Sequence, residues 1–121
     1  MDADLREAVA LNAKQHQFAL QQMRGLLVTI RNLDEARTAD DRSIMARLAR
    51  EQGPGTNSDH PQGFHDALPN GFRAMSKQMR QSFAGLATDI EAGNIGGYDA
   101  KRLRALDTCI GCHESYRFSE K

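Results

Sequence analysis

The end of the chain most constrains the fold: Cys109-Ile110-Gly111-Cys112-His113 lies eight residues before the terminus of a 121-residue sequence. Two thiols three residues apart on a helix share one face, a turn apart. They can add across the two vinyl groups of one porphyrin edge, and the histidine that follows can reach the iron from the proximal side. C-x-x-C-H is the attachment pattern of a c-type haem. None of the eight residues after His113 is Met or His, and the one Lys is the terminal Lys121, so a second axial ligand is expected from upstream.

Other readings of the five residues are weaker. A redox dithiol wants a thioredoxin-like βαβ context, and no β-branched strand run precedes Cys109. A structural zinc needs four ligands, usually as two spaced pairs, and no second cysteine pair exists. A Cys109–Cys112 disulfide would close a very short, strained loop on a helix.

A chain of this length is expected to form one domain, residues 1–121. Sixteen Lys and Arg balance sixteen Asp and Glu, so the polypeptide has no bias toward nucleic acid or an anionic membrane. Tryptophan is absent, and the composition favours helix formers. No segment approaches the length of a membrane span. Covalent haem attachment in bacteria follows export, so the motif implies a periplasmic protein. Met1-Asp2-Ala3-Asp4 lacks the basic start and apolar core of a signal peptide, so the leader is expected to have been removed.

Four helical stretches are expected, giving an all-α, antiparallel up-down-up-down four-helix bundle around one covalent haem. The first runs from about Asp4 to about Ala36. Its stripe is Leu5, Val9, Ala19, Leu20, Met23, Leu26, Leu27, Ile30 and Leu33, interrupted by Asn12 and His16. The second starts near Thr38, capped through Thr38 and Asp41, turns Ile44, Met45 and Leu48 inward, and stops at Gly53-Pro54-Gly55. Residues 53 to 68 read as a loop. The third follows Pro69 with Phe72, Met75, Met79, Phe83, Leu86 and Ile90, and ends at Gly93 and Gly96-Gly97. The fourth, capped by Asp99, carries Leu103, Leu106, Ile110, His113 and Tyr116.

Upstream candidates for the second ligand are Met23, Met45, Met75, Met79, His16, His60 and His65. Met23 sits mid-stripe on the longest helix, and Met75 and Met79 face inward on the helix before the motif. Packing is the ordinary role of an inward methionine. His16 lies about two turns, roughly 10 Å, from Met23 on the same face, and cannot share its position. His60 and His65 read as loop surface. Arg117 and Arg24 are candidates for balancing haem propionates.

The ending Cys109-Ile110-Gly111-Cys112-His113-Glu114-Ser115-Tyr116-Arg117 resembles that of the class II cytochromes c, the cytochrome c′ group. In that group C-x-x-C-H near the C-terminus is followed by an aromatic residue and Arg. Gln22-Met23-Arg24, Leu68-Pro69 with Phe72, and Phe83 match more loosely, and the likeness spans essentially the whole chain. In the low-spin branch a first-helix Met binds the iron opposite the histidine, and aligning the end of the first helix puts Met23 there. The family's Arg-Gln before the distal residue is missing: Ala19 and Leu20 stand in its place. A second register matches Lys14-Gln15 to that pair and makes Phe18 distal, giving a crowded five-coordinate pocket. Phe18 lies off the apolar stripe, so periodicity favours Met23.

With His113 and Met23 as metal ligands, the resemblance implies a six-coordinate, low-spin haem c. It would carry electrons between redox partner proteins and would not be an enzyme. The alternative is a five-coordinate iron binding NO or CO. Homodimers through the first two helices are common in the family, and Leu11, Phe18 and Val28 are candidate interface residues. No distal acid–base pair near Met23 supports a peroxidase.

Overall fold

The computed structural model describes residues 3–55 and 59–121. Met1 and Asp2, in the segment judged not to be a leader, and positions 56–58 of the expected loop lie outside the described residues.

The chain is mostly helical. In order, it forms β1 (Glu7–Leu11), α1 (Ala13–Thr38), α2 (Arg42–Glu51), α3 (Phe64–Ala67), α4 (Asn70–Glu91), α5 (Ile95–Ser115) and β2 (Tyr116–Glu120). No helix among the described residues is long and apolar enough to cross a membrane.

The N-terminal segment departs from the expected helix. Residues 7 to 11 form a strand because Val9 and Leu11 alternate with Ala8 and Ala10, which puts both large side chains on one buried face. Asn12 does not interrupt a helical stripe: it starts the helix. Its side chain accepts from the Gln15 N–H, while Gln15 accepts from the Asn12 N–H, a reciprocal capping box. Leu5, expected on the stripe, is exposed.

The second helix likewise starts later than expected. Thr38 belongs to α1 and donates its hydroxyl to the Asp34 carbonyl, whereas Asp41 caps α2 by accepting from the Ile44 N–H. Met45 is buried there, but Ile44 is 39% exposed. The loop holds the short helix α3. α4 follows Pro69 as expected, with Pro69 at the N-cap position and no side-chain cap, and Gly93 ends that region with φ 74°, where L side chains are strained. The α5 cap is Asn94, not Asp99. Gly96 and Gly97 open that helix, and the Asn94 side chain folds over the Gly97 N–H at 2.9 Å. Tyr116 lies on β2, because the chain turns extended after Ser115.

The strands β1 and β2 pair in parallel, with Val9 beside Phe118. α4 packs on α5 and α2, and α1 packs on α2. The main core joins Leu26, Leu33, Met45, Phe83, Leu86, Ile90 and Tyr98. A second cluster, under the sheet, joins Val9, Leu11, Ala19, Leu68 and Phe72, with Cys112, Tyr116 and Phe118 against it. Leu11 is therefore core, not interface; Phe18 is half-buried and Val28 is exposed.

Candidate functional site

Cys109, Cys112 and His113 occupy the last two turns of α5. Both thiols are free and half-buried, and burial pushes both up from the usual thiol range. They face different surroundings. Cys109 Sγ lies 3.7 Å from Met79 Sδ on α4. Cys112 packs against the cluster under the sheet. His113 is exposed, and its carbonyl accepts from Arg6 Nη1 at 3.3 Å. The Tyr116 N–H donates to the Cys112 carbonyl and closes the helix.

The relation of α5 to α1 follows from two ion pairs at the opposite end. Arg37 pairs with Asp99 at 2.9 Å and Arg102 with Asp34 at 2.8 Å. Each step forward along α5 meets a step backward along α1, so the helices are antiparallel. Continued along straight helices, the same register would bring Leu27 opposite Cys109 and Met23 opposite His113. At about 100° per residue, Leu20, Leu27, Ile30 and Asp34 lie within roughly 60° of Met23 around α1. Leu106, Cys109, Ile110 and Arg102 lie within about the same angle of His113 around α5.

These facing surfaces are apolar yet open. Leu27 is 69% exposed, Ile110 55% and Leu20 41%, while Met23 is half-buried. α1 and α5 lack the close backbone packing that α4 makes with α5. They are joined at one end by the ion pairs and at the other by the β1–β2 ladder and Arg6. Continued between these ties, the register would leave a cleft with Met23 on one wall and the cysteine–histidine motif on the other.

The remaining candidates fall elsewhere. Phe18 lies about 140° around α1 from Met23. Its ring packs edge-on against Phe64 of α3 at 5.1 Å, so it points to α3 and not into the cleft. His60, expected as bare loop surface, is exposed but stacks near Phe18 and Phe64. His65 is exposed, as expected. His16 packs edge-on against Phe118, 5.5 Å between centroids. Met45 is sealed in the main core. Met75 touches the motif from α4: a Cβ on Gly111 would lie 3.2 Å from its Cε. Arg24 is exposed on α1. Arg117 Nε is buried without a hydrogen bond, 3.7 Å from Asp4 Oδ2.

No family model matches the chain, and no curated protein or solved structure is significantly similar to it.

The assignment of the site therefore rests on the chain's own residues. Their chemistry fits a c-type haem: two adjacent thiols, an imidazole beside them, a thioether that the continued register would set opposite the motif, and a buried guanidinium nitrogen lacking a hydrogen bond on the strand after the motif. A zinc site fits poorly, since no three His, Cys, Asp or Glu side chains converge among the described residues. Arg6 escaped the sequence reading: its partner is 107 residues away, and no local pattern links them.

Proposed function

We propose that the chain is a class II c-type cytochrome. Cys109 and Cys112 would hold one haem through thioether bonds, with His113 as proximal and Met23 as distal ligand. α1, α2, α4 and α5 would form its four-helix bundle. The observation that carries the reading is the antiparallel register of α1 and α5 at the Arg37–Asp99 and Arg102–Asp34 pairs, which, continued, would bring Met23 opposite the motif.

A haem so bound supplies a one-electron Fe(III)/Fe(II) couple, and thioether ligation favours the reduced state. The protein's part is positional. Arg6 fixes the backbone at His113. Leu20, Leu27, Leu106 and Ile110 offer apolar surface on the cleft walls, which favours a dry macrocycle. Arg117 and Arg24 are available to balance propionate charge. With His113 and Met23 both bound, the iron would offer no position for a substrate, which fits an electron carrier better than an enzyme. Covalent attachment implies an exported, periplasmic protein, with redox proteins as transient partners.

Optical spectra of the oxidised and reduced protein, compared with Met23→Ala, test the reading. The expected wild-type spectrum is low-spin with a weak near-red sulfur-to-iron band, which the substitution abolishes. A high-spin spectrum indifferent to the substitution removes Met23 as ligand. It would shift the reading to an open-site protein that binds NO or CO.

A further inference from the structure

Arg80 sits half-buried where α4 meets α1 and α2, and every acceptor it has among the described residues is neutral. Its Nη1 donates to Gln52 Oε1 at 2.6 Å and to the Gln52 carbonyl at 3.4 Å, and its Nη2 to Gln22 Oε1 at 3.3 Å. Gln52 is itself oriented by donating to Thr29 Oγ1 at 3.0 Å. Acidic groups on the adjoining helices have other partners: Glu51 takes Arg47, Glu91 takes Arg50 and Asp89 takes Lys101. Among the described residues no carboxylate lies within ion-pair distance of Arg80. Burial lowers its pKa, but a guanidinium stays charged at any physiological pH.

A desolvated cation without a counter-ion costs stability. Capping the C-terminal carbonyl of α2 explains the contact with Gln52, but an exposed cation would cap it as well. The position of Arg80 suggests a reason for keeping the charge inside. Gln22 immediately precedes Met23, and Met79, next to Arg80, touches the Cys109 sulfur. Arg80 thus follows the residue that touches the Cys109 sulfur and hydrogen-bonds the residue that precedes Met23.

We propose that Arg80 is an internal positive charge that raises the reduction potential of the haem held by Cys109, Cys112 and His113. The inference rests on the haem reading above. Reduction adds one electron, delivered by the redox partner, and breaks no bond. A nearby cation in a medium of low dielectric favours the more negative, reduced state. Surface arginines do this weakly because solvent and salt screen them.

The test is the midpoint potential of the haem-bearing protein, measured by spectroelectrochemistry at low and high salt. Arg80→Gln should shift the potential negative, Arg80→Lys should stay near wild type, and the Gln shift should persist at high salt. Gln52→Glu, which gives Arg80 a carboxylate partner, should also shift it negative and serves if Arg80→Gln does not accumulate. Equal potentials in all four proteins, or equal shifts in the Lys and Gln variants, would overturn the inference. Mass spectrometry of the wild type separates the two claims. A chain without covalent haem defeats the functional reading and this inference together; a haem-bearing chain with unmoved potentials defeats the inference alone.

Discussion

Tyr98 is fully buried in the main core, and its hydroxyl has no hydrogen-bond partner among the described residues. Burial pushes the phenol's pKa up, so it stays neutral, but its polar atom remains unsatisfied. An unsatisfied buried donor costs about 1–3 kcal/mol. Tyr98→Phe removes that oxygen and keeps the ring, so urea unfolding should show a variant as stable as the parent or more stable by about that amount. A loss of stability would mean the hydroxyl has found a partner. Gly97, one residue earlier, has the opposite sensitivity. A Cβ there would lie 2.5 Å from Asn94 Nδ2 and 2.8 Å from Asp89 Oδ2. Gly97→Ala should displace the Asn94 cap and cost about 1 kcal/mol in the same assay. A glycine pair reads equally well as the end of one helix or the start of the next. Asn94, three residues before Gly97, decides in favour of a start.

At the scale of elements, β1 is where local pattern and tertiary context diverge. Leu5 and Val9 match helical spacing, and Val9 and Leu11 match strand spacing; the segment is too short for periodicity to choose. Its partner decides, and β2 is more than a hundred residues away, with Glu7 paired to Tyr116 and Leu11 to Glu120. Asn12 with Gln15 carried the boundary in the sequence as a capping pair, but an unbroken stripe read through it hides the signal. Pro69 gave the start of α4 correctly because a proline's missing N–H fits only the first positions of a helix. β2 is paired with β1 and follows directly on the motif, so damage to β1 should travel. Leu11→Ala should cost about 2–5 kcal/mol, as for other buried leucines. It should also speed hydrogen exchange at the Tyr116–Glu120 amides while leaving α4 protected. Uniform loss of protection would show that the sheet and the main core unfold as one unit.

Across the whole molecule, α1 and α5 are tied at their ends and apart between, and the two ties differ in kind. One is a β ladder over buried Val9 and Leu11; the other is a pair of exposed charge contacts. The motif was legible in the sequence because its spacing is local, but the expected stripe only in part: Ala19, Leu26 and Leu33 are buried, whereas Leu5, Leu20 and Leu27 are exposed. The register that would set Met23 opposite the motif was not legible, because it depends on Asp34 and Arg37 meeting Arg102 and Asp99. The exposed tie should respond to pH and salt. The Arg37 guanidinium, hydrogen-bonded to Asp99, holds its carboxyl below the usual range. A depressed carboxylate adds stability that is complete above its unfolded pKa, near 3.9, and vanishes as pH falls through the folded value. The stability difference between wild type and Asp99→Asn should therefore be present but small at neutral pH, as for exposed pairs. It should shrink steadily below about pH 4 and be erased by high salt at any pH. Urea melts at several pH values in low and high salt make the comparison. A difference that survives both acid and salt would mean Asp99 acts through packing or α5 propensity, leaving Arg102 and Asp34 as the contact that orients the cleft.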